Sequence, residues 1–197
     1  MRFRPATIIG PFVLRSTERI PYSVTKAAAP YEGLRLIPVA VLLHDVRSLY
    51  NVGAFFRSAD AAGCDKLYLS GITARPPHSG ITKTALGAEE TVAWEHHADP
   101  ASLVLSLRQQ GHEIAAVETS VHATDLYDWQ PNFPVCVLFG HEVDGLSEPL
   151  LALCDTHVRI PMLGRKHSLN VATAGGVVIY ELLRKYRALL DGARIRP

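Results

Sequence analysis

From residue 39 onward, short apolar runs alternate with amphipathic stretches. Val39–Leu43 is a run that stops at the polar pair His44-Asp45, which predicts a strand. Gly53–Ala62 then sets Phe55, Phe56 and Ala59 at helical spacing and meets Gly63, a helix with a glycine stop. Lys66–Ser70, Glu113–Glu118, Val135–Phe139 and His157–Ile160 predict further strands, with a short one over Thr91–Glu95. Pro100–Gln110, closed by Gly111, and Ser147–Leu153 predict helices. Leu169–Leu190 predicts a longer one, because Val171, Ala174, Val178 and Leu182 give it an apolar face. Residues 71–88 hold Gly71, Pro76, Pro77, Gly80 and Gly87 and predict a loop too long for an ordinary connection, a length that points to function. Residues 1–35 lack a clear period and read as an extended arm with Pro5, Pro11, Pro21 and Pro30.

Strands alternating with helices predict an α/β fold: an open, mostly parallel sheet with helices on both faces. In such sheets ligands gather beyond the carboxyl ends of the strands. At 197 residues the chain predicts one domain over 38–197 with the arm, 1–37, as no separate domain. It is 48% hydrophobic and 20% charged, which excludes a disordered chain. Its longest apolar run, Leu36–Leu43, falls far short of the ~20 residues of a membrane helix, so no membrane partner is expected. Cys64, Cys136 and Cys154 are widely spaced and form no C-x-x-C pair. Free thiols and the lack of a signal-peptide pattern predict a reducing, cytoplasmic setting.

The formal net charge of +1 speaks against a nucleic-acid partner until it is divided along the chain. Residues 1–38 carry six Lys/Arg against two acids, residues 39–158 six against fifteen, and residues 159–197 eight against two. Near-neutrality is therefore a cancellation between an acidic middle and two basic ends, an asymmetry compatible with nucleic-acid contact.

Three clusters follow strands. In Asn51-Val-Gly-Ala-Phe-Phe-Arg57, Asn51 can cap the helix, Gly53 allows close backbone approach, and Arg57 follows within two turns. In Gly140-His-Glu-Val-Asp-Gly145 the glycines suit a tight turn, and Glu142 reads equally as a capping carboxylate for the following helix or as a site residue. The spacing is not the G-x-G-x-x-G dinucleotide fingerprint. Ile160-Pro-Met-Leu-Gly-Arg-Lys-His-Ser-Leu-Asn-Val171 ends a strand, passes a basic loop and opens the last helix, with Ser168 as a plausible N-cap. His141 and His167 near Glu142 show no metal-ligand spacing, so no metal is expected.

Taken together, Asn51/Gly53/Arg57, Gly140/Glu142/Gly145 and Ile160-Pro161-Met162 with Ser168-Leu169-Asn170-Val171 resemble the SpoU (TrmH-like) group of the SPOUT superfamily of RNA methyltransferases, over residues 38–190. The resemblance implies S-adenosylmethionine-dependent methylation of a ribose 2′-hydroxyl in tRNA or rRNA. It also implies a deep C-terminal trefoil knot and a homodimer with active sites near the subunit interface. By position, Gly140, Ile160 and Leu169, with Thr119 as a weaker candidate, would hold the cofactor. Arg57 would take the central catalytic role, clamping a phosphate or acting through a water or phosphate base, since a guanidinium stays protonated. Asn51 and Glu142 would hold Arg57 and the motif loops, while Ser168 and Asn170 would hydrogen-bond near the ribose and the arginine. Arg2, Arg4, Arg15, Arg19, Arg165, Lys166, Arg184, Lys185 and Arg187 would form a phosphate track for RNA.

A non-catalytic RNA-binding protein that kept the fold is the alternative. A nicotinamide oxidoreductase lacks its Gly-rich first turn here, where His44-Asp45-Val46-Arg47 stands instead. Base methylation is disfavoured by the Ser-Leu-Asn-Val motif.

Overall fold

The structure is a computed structural model and describes residues 36–194. The arm and its arginines lie outside the described residues, apart from Leu36 and Ile37. Among the described residues the chain runs β1 (Ile37–His44), α1 (Leu49–Ala62), β2 (Cys64–Ser70), α2 (Ser79–Ala85), α3 (Ala88–Thr91) and β3 (Trp94–His97). It continues with α4 (Pro100–Gln109), β4 (Glu113–Val117), β5 (Thr124–Asp125), β6 (Val135–Phe139), α5 (Glu148–Leu151), β7 (Thr156–Arg159) and α6 (Val171–Arg194). The strands form one seven-stranded sheet in the order β3-β2-β1-β6-β4-β7-β5. Each pairing is parallel, with β1 between β2 and β6 and β4 between β6 and β7.

The two-residue period of β1 explains the layering. Val39, Val41 and Leu43 face one core with Phe55, Phe56, Val178, Ile179 and Leu182, under α1 and α6. Ala40 and Leu42 face the other core with Leu103, Val104, Leu107 and Leu150, under α4 and α5. Both faces of the sheet are covered, as the alternation of elements predicts.

Close backbone packing fixes α1. A side chain at Gly175 of α6 would overlap the Phe55 ring, which lies 5.0 Å from the Phe139 ring. A side chain at Gly53 would overlap Ile81 O and Thr84 Oγ1 of α2. The close approach at Gly53 is therefore made by another helix rather than by a ligand.

Several boundaries differ from expectation. Residues 71–88 contain α2, a polar helix whose buried positions are Ile81 and Ala85 alone, too narrow a stripe to register as helical periodicity. The strand expected over Thr91–Glu95 begins at Trp94, because α3 occupies the preceding residues. The short β5, against β7, carries too few residues to show a period.

Candidate active site

The loops after β1, β4, β6 and β7 meet at the carboxyl edge of the sheet, where the start of α6 also arrives. Ser48, rather than Asn51, is the N-cap of α1 and accepts the Asn51 N–H at 3.4 Å. Asn51 is thus inside the first turn, with its side chain free for other partners. Its Nδ2 donates to Glu142 Oε1 at 2.9 Å, and its Oδ1 accepts from Asn170 Nδ2 at 3.1 Å. Glu142 also accepts the Arg47 N–H at 3.1 Å and the Ser48 N–H at 3.0 Å. This carboxylate serves the entry of α1, across the sheet, rather than the helix that follows it in sequence. Asn170 Oδ1 accepts the N–H groups of Ala172 and Thr173 at 3.0 and 3.2 Å, so Asn170 caps α6 in place of Ser168. One hydrogen-bonded chain, Glu142–Asn51–Asn170, therefore joins residues 91 and 119 positions apart and ties the three motifs together.

Burial alone would raise the Glu142 carboxyl, but the N–H groups of Arg47 and Ser48 and the Asn51 amide outweigh it and hold the group below the usual glutamate range. Glu142 is therefore an anion at neutral pH.

The hairpin that presents Glu142 is closed by an antiparallel bridge, with His141 and Gly145 exchanging backbone hydrogen bonds at 3.1 and 3.0 Å. A side chain at Gly140 would overlap the Gly145 backbone. Gly145 has φ +68, and a side chain there would overlap the Glu118 carboxylate. Both glycines thus shape the turn, and the space over Gly140 is filled by the chain itself.

Beside this hairpin lies a cavity of about 310 Å³. Val117, Phe139, Ile160, Val171 and Ala174 supply apolar wall. Glu118, Thr119, Gly140, His167, Ser168 and Leu169 also line it, so all four residues expected to hold the cofactor border one space. Sequence reasoning missed Glu118, whose carboxylate accepts the N–H groups of Thr119 and Leu146 at 2.9 and 3.3 Å. Its one signal was its place at the carboxyl end of a predicted strand, next to Thr119.

Arg57 is the exception among the expected site residues. It is exposed on α1, borders neither this cavity nor a second one on the other side of the 140–145 hairpin, and bonds to none of Asn51, Glu142, Ser168 and Asn170. Six residues of helix carry it about 9 Å along the axis and onto another face from Asn51. The expected grip of Asn51 and Glu142 on Arg57 is thus replaced by their grip on each other.

The basic C-terminal block divides as well. Arg165, Lys166 and Arg187 are exposed, but Lys185 is buried and donates to the carbonyls of Tyr127 and Trp129. Arg184 pairs with Glu181 at 2.7 Å. Lys185 is thus withdrawn from the expected phosphate track, and Arg184 stays exposed beside its acidic partner. Burial pushes the thiols of Cys64 and Cys154 up to about 12 and that of Cys136 further, against the thiolate form. Among the described residues no helix is long and apolar enough to cross a membrane.

Comparison with known proteins bears on the same residues. Residues 38–180 match the SpoU rRNA Methylase family. The chain is 33% identical over 149 residues to a 23S rRNA (guanosine-2′-O-)-methyltransferase of Vibrio parahaemolyticus, covering 75% of this chain and 60% of that protein. It is 32% identical over 161 residues to a tRNA (guanosine(18)-2′-O)-methyltransferase of Thermus thermophilus, covering 81% of this chain and 82% of that protein. An AdoMet-bound rRNA methyltransferase from Sinorhizobium meliloti superposes with a TM-score of 0.71 at 28% identity, covering 79% of this chain and 60% of that one. The chain thus spans about three fifths of the length of the Vibrio relative.

Proposed function

The chain belongs to the SpoU rRNA Methylase family, and from that premise we propose that it methylates a ribose 2′-hydroxyl of tRNA or rRNA with S-adenosylmethionine. The observation that carries this reading is the Glu142–Asn51–Asn170 chain, which brings all three motifs to the edge of one cavity. The cofactor, when bound, supplies the methyl group from a sulfonium centre. The cavity suits it: Phe139, Ile160 and Val171 offer an apolar wall to a purine, and Glu118 with the hairpin backbone offers a polar edge. Its volume of about 310 Å³ is that of a small-molecule site.

Holding reactants in line can supply much of a methyl transfer, so the chain's own task is to position. Asn51 and Glu142 keep the entry of α1 and the 140–145 hairpin in register, and Asn170 keeps the start of α6 against both. Ser168, exposed at the cavity mouth, faces the ribose. Arg57 aligns the hydroxyl through a neighbouring phosphate. Because Arg57 borders neither cavity beside the 140–145 hairpin, we read it as serving the site of a partner protomer in a homodimer.

The unpaired cations support RNA as substrate. Arg47, Arg57, Arg75, Lys83, Arg165 and Lys166 are exposed, follow the loops and helices at the carboxyl edge, and make no ion pair among the described residues. Lys66, Arg108, Arg184 and Lys185 form ion pairs elsewhere, and Arg159, which lines the first cavity, pairs with Asp125. We read residues 38–197 as the methyltransferase domain with 1–37 as its arm, α6 as the threaded end of a trefoil knot, and the cytoplasm as its place.

The test is kinetic. Arg57→Ala should keep S-adenosylmethionine affinity yet lose methyl transfer by roughly 100-fold or more. Near-wild-type turnover would overturn the role of Arg57. Wild-type protein that binds RNA without binding the cofactor would leave the non-catalytic reading.

A further inference from the structure

A second cavity, of about 430 Å³, lies on the other side of the 140–145 hairpin. It is lined by Arg47, Ser48, Asn51, His141, Glu142 and Val143, and shares the last three with the first cavity. The polar groups of its floor are already committed. Both oxygens of Glu142 accept hydrogen bonds, from Arg47 N–H, Ser48 N–H and Asn51 Nδ2, which turns the carboxylate into the protein. Among the described residues the Arg47 guanidinium and one nitrogen of His141 are uncommitted donors on the wall.

The His141 ring is held by its other nitrogen. Nδ1 accepts the N–H groups of Val143 and Asp144 at 3.2 and 3.1 Å, and Asp144 Oδ2 stands 3.0 Å from the same atom. In the neutral ring those two N–H donors require a bare Nδ1, so the proton sits on Nε2. In the charged ring Nδ1–H turns to Asp144, and Nε2 again carries a proton. Moving the neutral ring's proton to Nδ1 would strip two backbone N–H groups of their acceptor to favour a carboxylate that is 82% exposed to solvent. In both favoured forms, then, Nε2–H is a donor and not a base. It has no partner among the described residues.

Resting on the reading of this chain as an RNA methyltransferase, we propose that the second cavity binds a backbone phosphodiester of the RNA, with the Nε2–H of His141 and the guanidinium of Arg47 donating to its oxygens. An imidazole N–H and a guanidinium on one wall suit an anionic oxygen pair, and such contacts position a strand without reading its sequence. The shared wall sets that phosphate beside the cofactor cavity, so holding it fixes the adjoining ribose against the methyl donor.

Two substitutions separate the halves of the ring. In His141→Asn the side-chain oxygen stands near Nδ1 and keeps the hairpin, but nothing replaces the Nε2 donor. In His141→Gln the amide nitrogen stands near Nε2 and keeps the donor. The experiment measures methyl transfer to total bacterial RNA as a function of RNA concentration, together with S-adenosylmethionine affinity. His141→Asn and Arg47→Ala should each raise the half-saturating RNA concentration about tenfold, with the cofactor affinity of Arg47→Ala, which borders the second cavity alone, within twofold of wild type. His141→Gln should recover most of that loss. Arg47→Ala should also lower the log–log salt slope of RNA binding by about one. Wild-type RNA saturation in His141→Asn, an unchanged salt slope in Arg47→Ala, or loss of cofactor affinity in Arg47→Ala would each overturn the proposal while wild-type transfer stands. Wild-type protein that transfers no methyl to RNA would overturn it along with the reading it rests on.

Discussion

The two halves of α6 are tied to the rest of the molecule by polar networks of opposite character. At its start, Asn170 caps the helix and joins Asn51 and Glu142, all at the open edge of the sheet. In its second half, Glu181 pairs with Arg184 and Lys185, and Lys185 reaches the carbonyls of Tyr127 and Trp129. Glu181 and Lys185 are 9% and 8% exposed, so that pair is sealed from solvent, with Arg184 covering it from the surface. The first network spends neutral amides and one carboxylate to align loops at a cavity. The second spends charge to pin a helix to a loop, where nothing can be bound. Charge count alone cannot tell these apart; what matters is whether each group already has a partner.

Breaking the sealed network should have the larger effect on stability. Lys185→Met leaves the carbonyls of Tyr127 and Trp129 without their donor while Glu181 keeps Arg184, and a buried polar group left unpaired costs about 2 kcal/mol. Urea unfolding should show that loss, while methyl transfer per folded molecule stays near wild type. A stable Lys185→Met protein would mean that the network contributes nothing to the fold.

Breaking the open network should invert the pattern. Asn170→Ala removes the cap of α6 and the contact with Asn51, a loss of about 1 kcal/mol by the usual value of a cap. Methyl transfer should nevertheless fall at least tenfold, because the start of α6 lines the cofactor cavity. Stability and turnover measured on the same preparation check the split, and an equal fall in both would erase the distinction drawn between the networks.

The smallest effect is on pH dependence. The Glu142 carboxyl is held below its ordinary range in the folded chain, so its contribution is complete above the usual glutamate range. That contribution is lost as pH falls through that range toward the folded value. Glu142→Gln should flatten this part of the acid limb of stability and leave the neutral region of the curve parallel to wild type. An unchanged acid limb would show that the Arg47, Ser48 and Asn51 contacts do not discriminate between the charged and neutral carboxyl.

Much of this arrangement could be read in advance, and the gaps have physical causes. The strand Val135–Phe139 is buried at every position and stands within the bounds its apolar run predicts. The helix after Pro100 is capped by Asp99 and turns at Gly111, as such residues do. The motif residues Asn51, Glu142 and Asn170 do meet. What the pattern left open was which group meets which: the caps of α1 and α6 are Ser48 and Asn170, each within three residues of the residue expected to serve. Glu142 finds its partners across the sheet, beyond any local signal. For Lys185 a signal was present, since Glu181 lies four residues earlier at ion-pair spacing. Arg57 shows the opposite limit: its motif spacing singles it out, yet it is exposed on α1 and borders neither cavity beside the 140–145 hairpin.

The most direct test of the account is to incubate the full chain with labelled S-adenosylmethionine and total tRNA and rRNA, then map the label after alkaline hydrolysis. The account requires label in alkali-resistant dinucleotides, the mark of a 2′-O-methyl group, at defined positions of a tRNA or rRNA. Label confined to bases, or no transfer by a protein that binds the cofactor, would contradict it.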